Sequence, residues 1–107
     1  MSATNLYWTQ PGATTNTTGT VMSLPLDGGS PTTLASGQNG PGDIVIDATS
    51  IYWANYNGGT VMTMPFGGGA PVTLASGPAG PSNVAVDATS VYWANYAGGQ
   101  VMKVAKP

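Results

Sequence analysis

Ser50-Ile51-Tyr52-Trp53-Ala54-Asn55-Tyr56-Asn57-Gly58-Gly59-Thr60-Val61-Met62 decides the fold. Two short apolar runs flank Asn57-Gly58-Gly59, and a glycine turn between such runs marks a β-hairpin, glycine supplying the positive φ the turn requires. The stretch returns as Ser90-Val91-Tyr92-Trp93-Ala94-Asn95-Tyr96-Ala97-Gly98-Gly99-Gln100-Val101-Met102. A looser copy opens the chain, with Tyr7-Trp8 and Val21-Met22 as its apolar ends. Three copies of one hairpin indicate a repeat architecture.

Val21, Val61 and Val101 set a period of forty residues, which Pro25/Pro65, Gly28/Gly68, Pro31/Pro71, Gly37/Gly77, Pro41/Pro81 and Asp47/Asp87 also obey. Trp53 and Trp93 are forty residues apart but Trp8 and Trp53 forty-five, so five extra residues form a loop insertion within 10–20. Each period reads as four strands. The first is Asp43–Asp47 (Asn83–Asp87 in the next copy), entered through Pro41 or Pro81. The second is Ile51–Asn55, the third Thr60–Met64 up to Pro65, and the fourth Val72–Ala75. Asp47 and Asp87 are placed to cap the Ala-Thr-Ser turn that follows them through backbone N–H groups. Helix is disfavoured throughout, because glycine and proline recur without a 3.6-residue apolar period.

Successive strand residues point to opposite faces, yet Ile51-Tyr52-Trp53-Ala54 is apolar or aromatic on both. A sheet with one wet face would alternate apolar with polar. These sheets must be covered on both sides, as are the four-stranded antiparallel blades of a β-propeller, for which a repeat of about 40 to 45 residues is expected. The expected organisation of 1–107 is therefore a partial propeller. Residues 1–37 make an incomplete blade carrying the 10–20 insertion, 38–77 a complete blade, and 78–107 a second incomplete one. About two and a half blades cannot close, and the exposed faces and strand edges call for oligomerisation, as a ring of two or more chains or as a filament. Tyr7, Trp8, Tyr52, Trp53, Tyr92, Trp93, Val101 and Met102 are the candidate core and assembly residues.

Val84-Ala85-Val86-Asp87, a turn, Val91-Tyr92-Trp93-Ala94-Asn95, then Gly98-Gly99-Gln100-Val101-Met102 resembles the YWTD and NHL group of six-bladed propellers. The pattern is most similar to the glycine-rich Tyr-Trp-Thr-Asn repeats of secreted bacterial, notably myxobacterial, propellers. It covers the whole chain in register. Asn55, Asn95 and Gln10 stand where the family carries Asp, so an uncharged amide replaces the family's acidic group there. For function the resemblance implies binding or scaffolding.

Composition removes most other classes. The whole charged set is Asp27, Asp43, Asp47, Asp87, Lys103 and Lys106, for a net charge of −2. Two cations cannot neutralise a phosphate backbone, so nucleic acid is not an expected partner. No apolar run approaches a spanning length, and no basic amphipathic face suits a membrane surface. With no His, Cys, Arg or Glu, the common nucleophile–base and zinc sites cannot be built, and dispersed Asp residues do not suit calcium. No catalytic residue, metal or cofactor is expected. Met1-Ser2-Ala3-Thr4-Asn5 lacks the features of a signal peptide. The Thr/Asn/Gly-rich, Lys-poor composition nevertheless fits a secreted or cell-surface bacterial module. Asn16-Thr17-Thr18 matches a glycosylation acceptor.

Strand alternation places the loops between strands two and three on the same side as those leading from strand four to the next strand one. That side gathers Asp43, Asn55, Tyr56, Asn57, Asn83, Asn95 and Tyr96. Exposed Tyr with Asn and Asp suits a glycan, whose ring faces stack on aromatics and whose hydroxyls bond to amides and carboxylates. The same residue types also hold turns and fill seams between blades.

Overall fold

The computed structural model describes residues 5–10, 19–66, 69–77, 80–96 and 98–107. Among them are ten strands and no helix. They are β1 (Asn5–Gln10), β2 (Gly19–Pro25), β3 (Thr32–Gln38), β4 (Pro41–Ile46), β5 (Ser50–Asn55), β6 (Thr60–Pro65), β7 (Val72–Ser76), β8 (Pro81–Val86), β9 (Ser90–Asn95) and β10 (Gln100–Ala105). All pairings are antiparallel between chain neighbours, giving a first sheet β1-β2-β3, a middle sheet β4-β5-β6-β7 and a last sheet β8-β9-β10. Asn16 and most of the 10–20 insertion lie outside the described residues.

The hairpin turns follow from their glycines. Gly59 and Gly99 both sit at φ 66°, in the left-handed region, and their N–H groups bond to the Asn55 and Asn95 carbonyls at 2.9 and 2.8 Å. Strands β4 and β8 begin at their prolines, two residues earlier than the sequence suggests. Each is an edge strand, where a missing N–H is tolerated, and an irregularity between Pro41 and Ile44 and between Pro81 and Val84 absorbs the extra length.

Register explains why both faces of each strand are apolar. In the middle sheet Trp53 pairs with Met62 and Ile51 with Met64 on one face, while Ala54 pairs with Val61 and Tyr52 with Thr63 on the other. The tryptophan face packs against Val21 and Ala35 of the first sheet. The tyrosine face packs against Val84, Val91 and Trp93 of the last sheet. Ile51, Trp53, Ala54 and Val61 are all 0 % exposed. The sheets therefore stack with one sense, a tyrosine face always meeting the next sheet's tryptophan face.

Candidate functional site

Turns at one end of the sheets are tied to the loops beside them. The Tyr56 N–H donates to the Gly40 carbonyl at 2.8 Å, Gly58 to Asn39 at 2.9 Å, and Tyr96 to Gly80 at 2.9 Å. These bonds bring Tyr56 and Tyr96 to one surface, their ring centroids 6.4 Å apart and tilted by 46°. Tyr96 is 76 % exposed and Tyr56 41 %. Gly80 lets the Tyr56 ring approach the neighbouring loop closely, since a Cβ there would meet the ring at 3.1 Å.

The other predicted ligand residues divide. Asn57 is exposed at the same turn, against Gly40. Asp43 and Asn83 are exposed and line one depression of 330 Å³ together with Tyr92, Trp93, Ala94 and Val101. Asp43 Oδ2 also accepts the Val84 N–H at 2.9 Å, joining the edge strands β4 and β8 of adjacent sheets. Asn55 and Asn95, by contrast, are buried at 5 % and 4 % exposure and do not reach the surface that carries Tyr56 and Tyr96. Asn55 is two residues beyond Trp53, so strand alternation turns it onto the same covered face. Its Nδ2 donates to Gln38 Oε1 at 2.9 Å and to Thr60 Oγ1 at 3.0 Å.

Gln38 is the polar anchor of the first seam. Its Oε1 also accepts the Trp53 indole N–H at 3.1 Å, and its Nε2 donates to the Ser36 carbonyl at 3.0 Å. Trp53 can be fully buried because its one donor is satisfied. The repeat position in the next unit is Pro78, which has no side-chain acceptor, and the buried Trp93 indole nitrogen has no partner among the described residues.

At the opposite end, each Asp holds the turn after it. Asp47 Oδ1 accepts the N–H of Thr49 at 2.9 Å and of Ser50 at 2.8 Å, and Asp87 repeats both bonds with Thr89 and Ser90. The Tyr52 hydroxyl donates to Asp47 at 2.8 Å and Tyr92 to Asp87 at 2.6 Å. Lys106, beyond the last sheet, reaches across the second seam to Asp47 at 2.9 Å, with its nitrogen 5.7 Å from the Tyr52 ring centroid.

Burial opposes ionisation of Asp47, but the bonds from Lys106, Thr49, Tyr52 and Ser50 outweigh it and hold the carboxyl well below the ordinary range. Tyr92 and the turn amides of Thr89 and Ser90 lower Asp87 to about 2. Burial and Asp47 raise the Tyr52 phenol, and Asp87 and burial raise that of Tyr92. These carboxylates are engaged as turn caps, and no three His, Cys, Asp or Glu side chains gather among the described residues.

The candidate assembly residues fall into two environments. Tyr52, Trp53 and Trp93 are core, at 2 %, 0 % and 4 % exposure. Val101 and Met102 are open, at 80 % and 39 %, and Tyr7, Trp8 and Tyr92 are half-buried. Gln38 and Lys106 were not singled out from sequence. The signal for Gln38 was the need of a buried indole for an acceptor; for Lys106 it was a cation forty residues after Phe66.

No protein-family model matches the sequence, and no curated protein matches it. The structure is similar to a solved one described as the crystal structure of a nidogen/laminin complex, with a TM-score of 0.82 at 20 % identity, over 95 % of this chain and 39 % of that one. This chain thus spans well under half of the matched chain. At such identity the likeness carries the fold alone, a β-propeller arrangement of antiparallel sheets. No helix among the described residues is long and apolar enough to cross a membrane.

Proposed function

We propose that this chain is a non-catalytic β-propeller module of about two and a half blades that self-associates to cover its outer sheets, and that it serves binding or scaffolding outside the cell. One comparison carries this. Val21 and Val61 are 0 % exposed, each beneath the next sheet, whereas Val101 at the same repeat position is 80 % exposed. An apolar residue used twice as core and once as surface supports the reading that a partner covers that face. The extracellular setting rests on the sparse charge and on the resemblance to secreted bacterial repeat propellers. Sedimentation across a range of concentrations tests self-association, and electron microscopy separates a closed ring from a filament. A chain that stays monomeric at every accessible concentration refutes the proposal.

A second reading, a lectin, rests on the outward Tyr96 ring beside Tyr56. With Asn55 and Asn95 buried, its polar complement reduces to Asp43, Asn57 and Asn83. Glycan-array binding that disappears in Tyr96→Ala supports it; an array without signal removes it.

A further inference from the structure

We infer that a second copy of this chain docks head to tail, with the tryptophan face of its first sheet on the open tyrosine face of the last sheet, Trp8 entering the 330 Å³ depression and Leu26 capping Tyr92. This specifies the surface and the partner for the self-association proposed above, and rests on that reading.

The molecule contains the template for the contact twice. At the seam between the middle and last sheets, Trp93 packs in one cluster with Tyr52, Ala54 and Val61. The repeat equivalents of those three are Tyr92, Ala94 and Val101, and all three line the open depression on the last sheet. What belongs there is the next tryptophan face. The first sheet carries one that no described sheet packs over: Leu6 pairs with Leu24 and Trp8 with Met22, on the side away from Val21, with Trp8, Met22 and Leu24 half-buried. Leu6 is 53 % exposed.

A second feature fixes the register independently. The residue after the third strand of a unit crosses the seam to the preceding sheet's tyrosine. Phe66 stacks on Tyr7 with centroids 5.4 Å apart, and Lys106 lies over Tyr52 at 5.7 Å. The remaining residue of this set is Leu26, 61 % exposed, and the remaining tyrosine is Tyr92. Across the seams inside one chain the tyrosine and its cap are always on adjacent sheets. Leu26 and Tyr92 lie on the first and last sheets, so they do not meet across a seam within residues 1–107, and a neighbouring copy brings them together.

Lys103 occupies the position of the buried Ser23 and Thr63, and in the docked pose its flexible stem must carry the ammonium to the rim. Restoring the repeat residue with Lys103→Thr removes that requirement.

The test uses the full chain in three variants, with folding checked by far-ultraviolet circular dichroism. Val101→Asp places a carboxylate at an exposed site of the single chain, which keeps its fold, but at the centre of the docked contact. There it weakens self-association by roughly two orders of magnitude or more. Lys103→Thr strengthens it. Because the chain has no cysteine, Leu26→Cys and Tyr92→Cys chains mixed under oxidation yield a disulfide-linked heterodimer in preference to either homodimer. If the parent assembles but Val101→Asp assembles equally well and the mixed crosslink is absent, the copies pair elsewhere, for instance through the open edges of β1 and β10. The inferred contact is then wrong while self-association stands. If the parent is monomeric throughout, both fall.

Discussion

Replacing Gln38 with Met isolates the hydrogen bonds of the first seam from its packing. Methionine has nearly the length and volume of glutamine but offers the Trp53 indole and the Asn55 amide no acceptor comparable to Oε1, which they hold at 3.1 and 2.9 Å. Trp53 is 0 % exposed and Asn55 5 %, so water cannot substitute without opening the seam. A buried donor left unpaired costs about 1–3 kcal/mol. The Asn55 amide retains Thr60 at 3.0 Å and sits at the low end of that range. The expected loss is therefore about 2–4 kcal/mol, a large part of the 5–15 kcal/mol typical of a domain. For a chain of this size each kcal/mol lowers the melting temperature by about 4–8 °C. Urea unfolding followed by tryptophan fluorescence should show an earlier midpoint with an unchanged slope, the signature of lost stability without a change in exposed surface. Gln38→Ala should lose at least as much, since it also removes side-chain volume. A loss below about 0.5 kcal/mol in Gln38→Met would refute the reasoning. It would mean that the buried indole is as stable unpaired as paired.

The carboxylates and phenols set the pH dependence. Asp47 and Asp87 are depressed in the fold, so their contribution is present above the unfolded-chain value of 3.8 and is lost as pH falls through the folded values, for Asp87 about 2. Tyr52 and Tyr92 are raised, so theirs is complete below 10.0 and is lost as pH rises through the folded values. With no histidine or cysteine between them, melting temperature should be flat from near pH 4 to near pH 10 and fall on both sides; a step near neutrality would contradict this. Lys106→Met should cost about 1–3 kcal/mol at neutral pH, between surface and buried ion pairs, because the two side chains are 17 % and 19 % exposed. The deficit should shrink in acid as Asp47 is protonated, which paired thermal melts would show. Gly19→Ala should destabilise the first seam, because its Cβ would overlap the Pro41 ring and lie 2.7 Å from the Gln38 carbonyl. Gly42→Ser should be neutral within about 0.5 kcal/mol, since the nearest atom is the Ala54 carbonyl at 4.0 Å and its repeat equivalent, Ser82, bonds the corresponding Ala94 carbonyl at 3.3 Å. Chemical denaturation of the two glycine variants checks the contrast.

Strands, turns and stacking were legible because their causes are local or periodic. Alternation over Ile51-Tyr52-Trp53-Ala54 demands two covered faces, Gly59 and Gly99 mark positive φ, and Asp47 and Asp87 cap the turns that begin beside them. Asn55 and Asn95 were readable too, since parity with Trp53 and Trp93 already puts them on a covered face. Their position beside the exposed tyrosines drew them to the ligand surface instead. The cross-seam partners were not legible. Which sheet supplies the acceptor for Trp53 depends on the sense of stacking, and neither the period nor the composition determines that sense. Phe66 and Lys106 occupy one repeat position yet bind Tyr7 and Tyr52 by different chemistry, ring stacking in one case and charge in the other.

The seams, then, are where the repeats diverge, while the strands they join stay nearly constant. In sequence Gln38 becomes Pro78, Phe66 becomes Lys106 and Thr63 becomes Lys103, and Gln38, Phe66 and Lys106 each look across to another sheet. The tyrosine, tryptophan and valine that make the sheets stackable change little even where no described sheet packs over them, as at Tyr92, Ala94 and Val101. Distinct polar partners at successive seams keep the order of the sheets unambiguous, because Gln38 satisfies a tryptophan and Lys106 an aspartate. The same apolar pattern recurs on the outermost faces, and the proposed self-association would use it. The uniform part of the repeat makes the sheets stackable, and the variable part ties particular sheets to one another.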